Sequence, residues 1–334
     1  MLENVTVIIP AHNRPERLRR LLGYYAGTGI HILVPDSSDK PYTGPIDPHT
    51  TVYLHRPRMH FLLKLREVLP LIDTPYVLYC ADDDFAVPEG IACAAAFLDA
   101  HPDYATAQGH YLTFTPTARR IKFLPRYIRY FDSRVPADNP TGRLAQKSGQ
   151  YASLLYAVAR TDAFREIYSY CFGNDGAPVF RNLFLAEEYF NHAMLIEGKY
   201  ATLPCFFSAR ERIAGSATST TTPVADVRHT PEYEAYTAAL AALLADKSGL
   251  RGADAGGVIS RACDTAPDNP QIMFKRRINA ILASHPLLRP LARLSEWRYA
   301  RKGLRAVRGM ESYPCNFSTP EKEAIIAAVR STEK

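Results

Sequence analysis

The chain has 334 residues, 22% of them charged, and a net charge of +6. Its length suits one large domain or two smaller ones, and its average apolar content excludes a disordered or fibrous protein. With no apolar run long enough to cross a bilayer, no basic-then-apolar leader and no Cys-x-x-Cys pair among its six cysteines, the chain reads as neither a spanning protein, a disulfide scaffold nor a zinc ribbon, and a cytosolic location is expected.

Val5 to Pro10 is a β-branched run closed by proline, the pattern of a buried first strand. A helix begins at Asn13 or Arg14, with Pro15 at an early helical position and Leu18, Leu21, Leu22 and Tyr25 on one face. Ile30–Val34 and Thr51–Leu54 read as further strands, and a helix from about Met59 to Ile72 carries leucines at helical spacing. Tyr76 to Ala81 is a wholly apolar fourth strand that delivers Asp82, Asp83 and Asp84 to its carboxyl end. Strand and helix alternate as in a parallel α/β sheet, whose ligands gather at the carboxyl ends of the strands.

Beyond the acids, a helix is expected from about Pro88 to Ala100 and a strand from Thr106 to Phe114. Thr115 to Gly149 shows no periodicity and reads as a long, substrate-facing loop. Ser153–Ala159 reads as a strand followed by a helix to about Tyr170, Phe180–Glu197 as a helix and Tyr200–Phe207 as a strand. Ser208–Thr230 is Ser/Thr-rich and loop-like, and from Pro231 onward the chain is mostly helical.

Three adjacent carboxylates repel one another, and no basic residue follows closely, so a bound divalent cation is one way to relieve them. In extended chain Asp82 and Asp84 share a face while Asp83 points away. The alternative is a solvated acidic turn before the helix at Pro88. Glu187-Glu188 supplies a second acidic pair, on a helix where Glu187 lies nearer the apolar stripe and Glu188 one turn from His192. Arg210 and Arg212 suit phosphate, with a surface ion pair to Glu211 as the alternative; Lys64 and Arg58 are lesser candidates.

The positive charge is local. Gln271 to Arg308 holds ten Lys/Arg against one acid, a net +9 that leaves −3 for the rest of the chain. Interleaved with leucines and Trp297, this segment reads either as an anionic-membrane contact or as a helical bundle with a solvated basic face. No nucleic-acid motif accompanies it, and no nucleic-acid partner is expected.

The stretch Val5-Thr6-Val7-Ile8-Ile9-Pro10-Ala11-His12-Asn13-Arg14 resembles the opening strand and loop of family 2 glycosyltransferases. Val34-Pro35-Asp36-Ser37-Ser38 resembles their second strand end, Tyr79-Cys80-Ala81-Asp82-Asp83-Asp84 their DxD motif, and Ala186-Glu187-Glu188-Tyr189 their later acidic pair. The resemblance covers roughly residues 4–215. It implies a GT-A fold: a mostly parallel central sheet flanked by helices, here with a helical C-terminal extension. A catalytic domain would span 1–228, its nucleotide-sugar half about 1–115 and its acceptor half about 116–228, with a basic helical extension over 229–334.

By the same resemblance the activity is transfer of a sugar from a nucleotide-diphosphate sugar to an acceptor hydroxyl, expected to be inverting and metal-dependent. Pro10, Ala11, Asn13, Asp36, Asp82, Asp83, Arg210 and Arg212 would bind the donor. Asp84 and Asp82 would hold Mn²⁺ or Mg²⁺. Glu188, at the second position of the pair, would be the base, with Glu187 the other candidate. Asp36 could accept from a base N–H or ribose hydroxyls. A glycan or lipid-linked acceptor, as in surface-polysaccharide or glycolipid synthesis, is expected, at a membrane surface engaged by 271–308. The alternatives are a sugar nucleotidyltransferase of similar fold and a non-catalytic, membrane-docked scaffold.

Overall fold

The computed structural model of the chain describes residues 2–117, 120–127, 133–147, 153–212, 224–264, 301, 304–305 and 319–331. The first half alternates β1 (Val5–Ile8), α1 (Pro15–Tyr25), β2 (His31–Asp36), β3 (Thr51–His55), α2 (Phe61–Val68), β4 (Tyr76–Tyr79), β5 (Asp84–Ala86) and α3 (Pro88–Ala100). Then follow β6 (Tyr104–Pro116), β7 (Ile121–Arg126), β8 (Arg134–Val135), α4 (Pro140–Lys147), β9 (Val158–Arg160), α5 (Thr161–Ser169), α6 (Leu183–Glu197) and β10 (Lys199–Glu211). Short α7 (Val224–Val227), then α8 (Pro231–Ser248), α9 (Gly252–Asp264) and α10 (Pro320–Arg330) complete the described elements.

All ten strands join one sheet, ordered β3-β2-β1-β4-β9-β6-β10-β5, with β7 on β6 and β8 on β10. β3, β2, β1 and β4 run parallel, as do β6 and β10, while β9 and β5 are antiparallel to their neighbours. Side chains alternate across this sheet. Ile8, Leu33, Val77 and Tyr79 enter a core shared with α2, α5, α6, α8 and α9; Val5, Val7, Ile9, Ile32, Val34 and Leu78 enter the opposite core with α1, α3 and α10. Layers of helix, sheet and helix result, as the alternation in the sequence implies.

Two details bear on the site. β1 lies between β2 and β4, so the chain reverses its direction of travel across the sheet there, and the carboxyl ends of β1 and β4 flank a topological switch point, where ligands of open α/β sheets bind. α3 leans directly on β10. A Cβ at Gly90 would stand 2.3 Å from the Phe206 carbonyl oxygen, so only glycine permits the approach that seats β5 beside β10.

Several expectations are corrected. Residues 115–149 are not one loop, since they hold β7, β8 and α4. α4 escapes a hydrophobic scan because its inner face uses Arg143 and Lys147 as well as Leu144. Arg143 donates to the carbonyls of Leu195 and Ile196 at 2.6 and 2.7 Å, satisfying the open end of α6. Ser153–Ala159 is a 3₁₀ turn (Leu154–Tyr156) leading into β9, and Ser208–Glu211 continues β10 because it pairs with β6 and, over Ser208–Arg210, with β5. The remaining loop, residues 213–223, lies outside the described residues, as does the basic segment 271–308 apart from Arg301, Leu304 and Arg305. Among the described residues no helix is long and apolar enough to cross a membrane.

Candidate active site

The carboxyl ends of β1, β2, β3 and β4 bring four loops together. Ala11 bridges Asp36 in parallel register; its carbonyl accepts from Ser37 N–H (3.0 Å) and from the Lys64 amine (3.1 Å). Asn13, at φ 52°, donates its backbone N–H to Ser38 Oγ (2.7 Å) and accepts Asp39 N–H on its side chain (2.9 Å). Arg58, also at positive φ, donates to Asp39 Oδ1 at 3.1 Å. Ala11, Asn13 and Asp36 thus meet at one edge of the sheet, with Pro10 directly before Ala11 in the chain.

Asp36 has another task than the one expected. Its Oδ1 accepts from the Ser38 backbone (2.8 Å) and hydroxyl (2.5 Å), and its Oδ2 accepts the Tyr53 hydroxyl at 2.7 Å. The residue is 1% exposed. Its carboxylate fixes the loop from within. Lys64 is buried beside Asp36 and Asp82; burial lowers its pKa to about 8, against the pull of both carboxylates.

The acidic stretch is a turn, closed by Asp84 N–H donating to the Ala81 carbonyl at 3.0 Å. Asp82 and Asp83 therefore converge instead of alternating. Arg14 Nη1 sits between them, 3.1 Å from Asp82 Oδ1 and 3.0 Å from Asp83 Oδ2. Asp84 turns the other way to begin β5. Its Oδ2 accepts Arg210 Nε at 2.7 Å and its Oδ1 accepts the Glu211 backbone N–H at 3.1 Å. Glu211 in turn pairs with Arg20 (2.7 Å) and Arg17 (3.3 Å) on α1, not with its sequence neighbours. Burial, reinforced by the neighbouring Asp83, pushes the carboxyls of Asp82 and Asp84 up to about 6, against the opposing pull of Arg14 and Arg210 respectively.

A divalent cation can be tested against this donor set. Asp84 offers a cation no free oxygen in this arrangement, because both its oxygens are held by β10. Asp82 and Asp83 do fit: one positively charged nitrogen already bridges them at hydrogen-bond distance. Mg²⁺ commonly takes only one or two carboxylates together with substrate phosphates. Among the described residues no group of three or more His, Cys, Asp or Glu is arranged to hold a metal without such help.

Arg210 links the acids to the second half of the site. Its guanidinium lies 4.4 Å from the centre of the Tyr156 ring and donates to the Tyr127 hydroxyl at 3.3 Å. Burial opposes its charge, yet Asp84 and the surrounding groups hold its pKa above the ordinary value. Glu187 falls within electrostatic range of both Arg210 and Tyr156, and its Oε1 accepts the Ser153 hydroxyl at 2.6 Å. Glu188 is on a different side of α6, within range of Tyr236 on α8, and its carbonyl lies 2.8 Å from His192 Nδ1. Of the acidic pair, Glu187 is the member brought toward Asp84. Arg212 is exposed and joined through its backbone N–H to the Phe114 carbonyl.

The sequence did not reveal Arg14 as the partner of the acids, Arg20 as the partner of Glu211, or the roles of Ser153 and Tyr156. Only Arg14 carried a signal, since it ends the first-loop motif; the others come together through contacts between distant segments.

No protein-family model matches this chain, and no curated protein matches it. Among solved structures, S. aureus TarS 1-349 in complex with UDP-GlcNAc aligns with a TM-score of 0.50 at 15% identity, over 98% of this chain and 90% of that chain. Another structure of S. aureus TarS 1-349 aligns with a TM-score of 0.48 at 14% identity over the same shares. The overlap with the UDP-GlcNAc complex runs nearly end to end, and what it establishes at that identity is the architecture: this chain has the GT-A fold that its motifs lead one to expect.

Proposed function

We propose that the protein is a glycosyltransferase that moves a sugar from a nucleotide-diphosphate sugar to an acceptor hydroxyl with inversion. The observation that carries this reading is the joining of Asp82–Asp84 to Glu187 through Arg210 and Tyr156, at the mouth of the parallel strands. The likeness in fold to TarS, a structure determined with UDP-GlcNAc, supports a sugar nucleotide as donor.

The residues fit defined tasks in that reaction. The rim of Pro10, Ala11 and Asn13 faces the nucleotide, shaped by the inward-held Asp36. A departing diphosphate gains negative charge, which fixed positive groups near it stabilise. Arg14 and Arg210 are the guanidinium groups nearest the acids. A bound divalent cation would supply Lewis-acid stabilisation of the same charge, and Asp82 and Asp83 are the residues that would hold it. Glu187, oriented by Ser153, serves as the base that takes the acceptor proton.

On this reading residues 1–115 hold the donor and 116–228 the acceptor, with 229–334 as an extension. Two of its helices, α8 and α9, finish the core beneath α6. A glycan or lipid-linked acceptor, and a membrane contact through 271–308, are proposed on the charge of that segment. A thermal-shift panel of UDP, GDP, CDP, ADP and dTDP, each with and without Mn²⁺, tests the donor reading. Stabilisation by one nucleotide class is expected. A flat response to all five, with or without Mn²⁺, would count against it.

A further inference from the structure

The bridging position of Arg14 raises the question of what it does before donor arrives. Its side chain is 24% exposed, and its two hydrogen bonds are the ones that a single nitrogen makes to Asp82 and Asp83. It stands at the N-cap of α1 without a side-chain cap, next to Asn13 at positive φ. Among the described residues only carboxylates tether the guanidinium, so a competing cation would displace it without disturbing the sheet.

Charge bookkeeping points the same way. Asp82, Asp83, Asp84 and Glu211 are matched by Arg14, Arg17, Arg20 and Arg210. The flanking Asp36 is matched by Lys64, and Arg126 also lies within electrostatic range of Asp84. Among these paired groups the carboxylates and cations balance. A divalent cation entering alone would leave two positive charges uncompensated in a partly buried site. A nucleoside diphosphate brings at least two negative charges, so cation and nucleotide together restore neutrality.

Resting on the glycosyltransferase reading, we propose that Arg14 is a resident counter-cation: it occupies Asp82 and Asp83 in the donor-free protein, excludes divalent metal, and yields those oxygens only when metal and nucleotide arrive together. The freed guanidinium then lies beside the arriving diphosphate. Arg14 is in this sense a positioning residue that sets the order of binding.

The test is Mn²⁺ affinity measured by electron paramagnetic resonance on the full chain, with Mn²⁺ alone and with each of UDP, GDP, CDP, ADP and dTDP. Wild type is expected to bind Mn²⁺ weakly alone and more tightly with one nucleotide. Arg14→Ala should bind Mn²⁺ alone at least tenfold more tightly, roughly the effect of removing one competing charge at close range, and adding Asp83→Asn should abolish that gain. Arg14→Lys, which keeps a cation in place, should stay close to wild type. Melting curves establish that each variant is folded. Wild-type binding of Mn²⁺ with nucleotide, but unchanged Mn²⁺ affinity in Arg14→Ala, would overturn the counter-cation and leave the transferase reading standing. Nucleotide binding that never recruits Mn²⁺ in either protein would overturn the metal-linked exchange itself. No nucleotide binding at all would overturn the donor reading beneath it.

Discussion

Replacing Arg210 with alanine is expected to cost about 3 kcal/mol of folding stability at pH 7.5, read from urea denaturation. Asp84 is 5% exposed, and its ion pair with Arg210 is 2.7 Å long. Removing the guanidinium leaves a buried carboxylate with the Glu211 N–H as its remaining hydrogen bond among the described residues and Arg126 only at longer range. The sign of the pH dependence follows. The folded-state pKa of Asp84 is already raised to about 6, above its ordinary value, so its ionisation costs stability, a cost absent at low pH and incurred as pH rises through 6. Without Arg210 that pKa climbs further. The gap between wild type and Arg210→Ala should thus be widest above pH 7 and narrow toward pH 5, where the carboxyl takes a proton. Adding Asp84→Asn to the variant should recover most of the loss, because a neutral amide has no charge to strand. A gap that is independent of pH would mean that Arg210 contributes through its packing on Tyr156 and not through the charge of Asp84.

The second large effect belongs to Glu187. Glu187→Gln should lower sugar transfer by about 10²–10⁴-fold, the usual contribution of a positioned general base. Glutamine keeps the size of the side chain and can still accept from Ser153, so nucleotide binding and melting temperature should be little changed. Glu188→Gln should transfer sugar at close to the wild-type rate, since that side chain is directed to the Tyr236 side of α6. The converse pattern, with Glu188→Gln inactive and Glu187→Gln active, would return the base to the second position of the pair. A bystander role for Glu187 would leave the transfer rate of Glu187→Gln at the wild-type level.

The legible parts of the chain are those whose structure is written in local pattern. α3 spans Pro88–Ala100, the expected range, because proline at its start fixes the first turn. The β1–β4 half follows from β-branched runs alternating with amphipathic helices. Periodicity fails where buried positions are filled by charge. α4 turns Arg143 and Lys147 inward, and the end of β10 includes Ser208, Arg210 and Glu211, yet both are regular elements held by tertiary partners. The acidic motif was visible, but not its neutralisation. Asp82 lies 68 residues from Arg14, and Asp84 lies 126 from Arg210. No local window contains both members of either pair, so the sequence suggested a metal on Asp84 where the fold supplies an arginine. A turn hydrogen bond from Asp84 to Ala81 also reverses the extended-chain geometry on which Asp82 and Asp84 were paired. For the acidic pair on α6, helical spacing placed Glu187 nearer the core, while the motif order favoured Glu188; packing brings Glu187 toward Arg210.

The central claim is that this site breaks the bond between a sugar and a nucleoside diphosphate. Its most direct test is release of nucleoside diphosphate from UDP-, GDP-, CDP-, ADP- and dTDP-sugars by the full chain with Mn²⁺ and a hydroxyl acceptor or water. Turnover with one nucleotide class is expected, lost in a folded Asp82→Ala/Asp83→Ala variant and strongly reduced in Glu187→Gln. Turnover that survives in both variants, or its absence with every donor despite nucleotide binding, would contradict it.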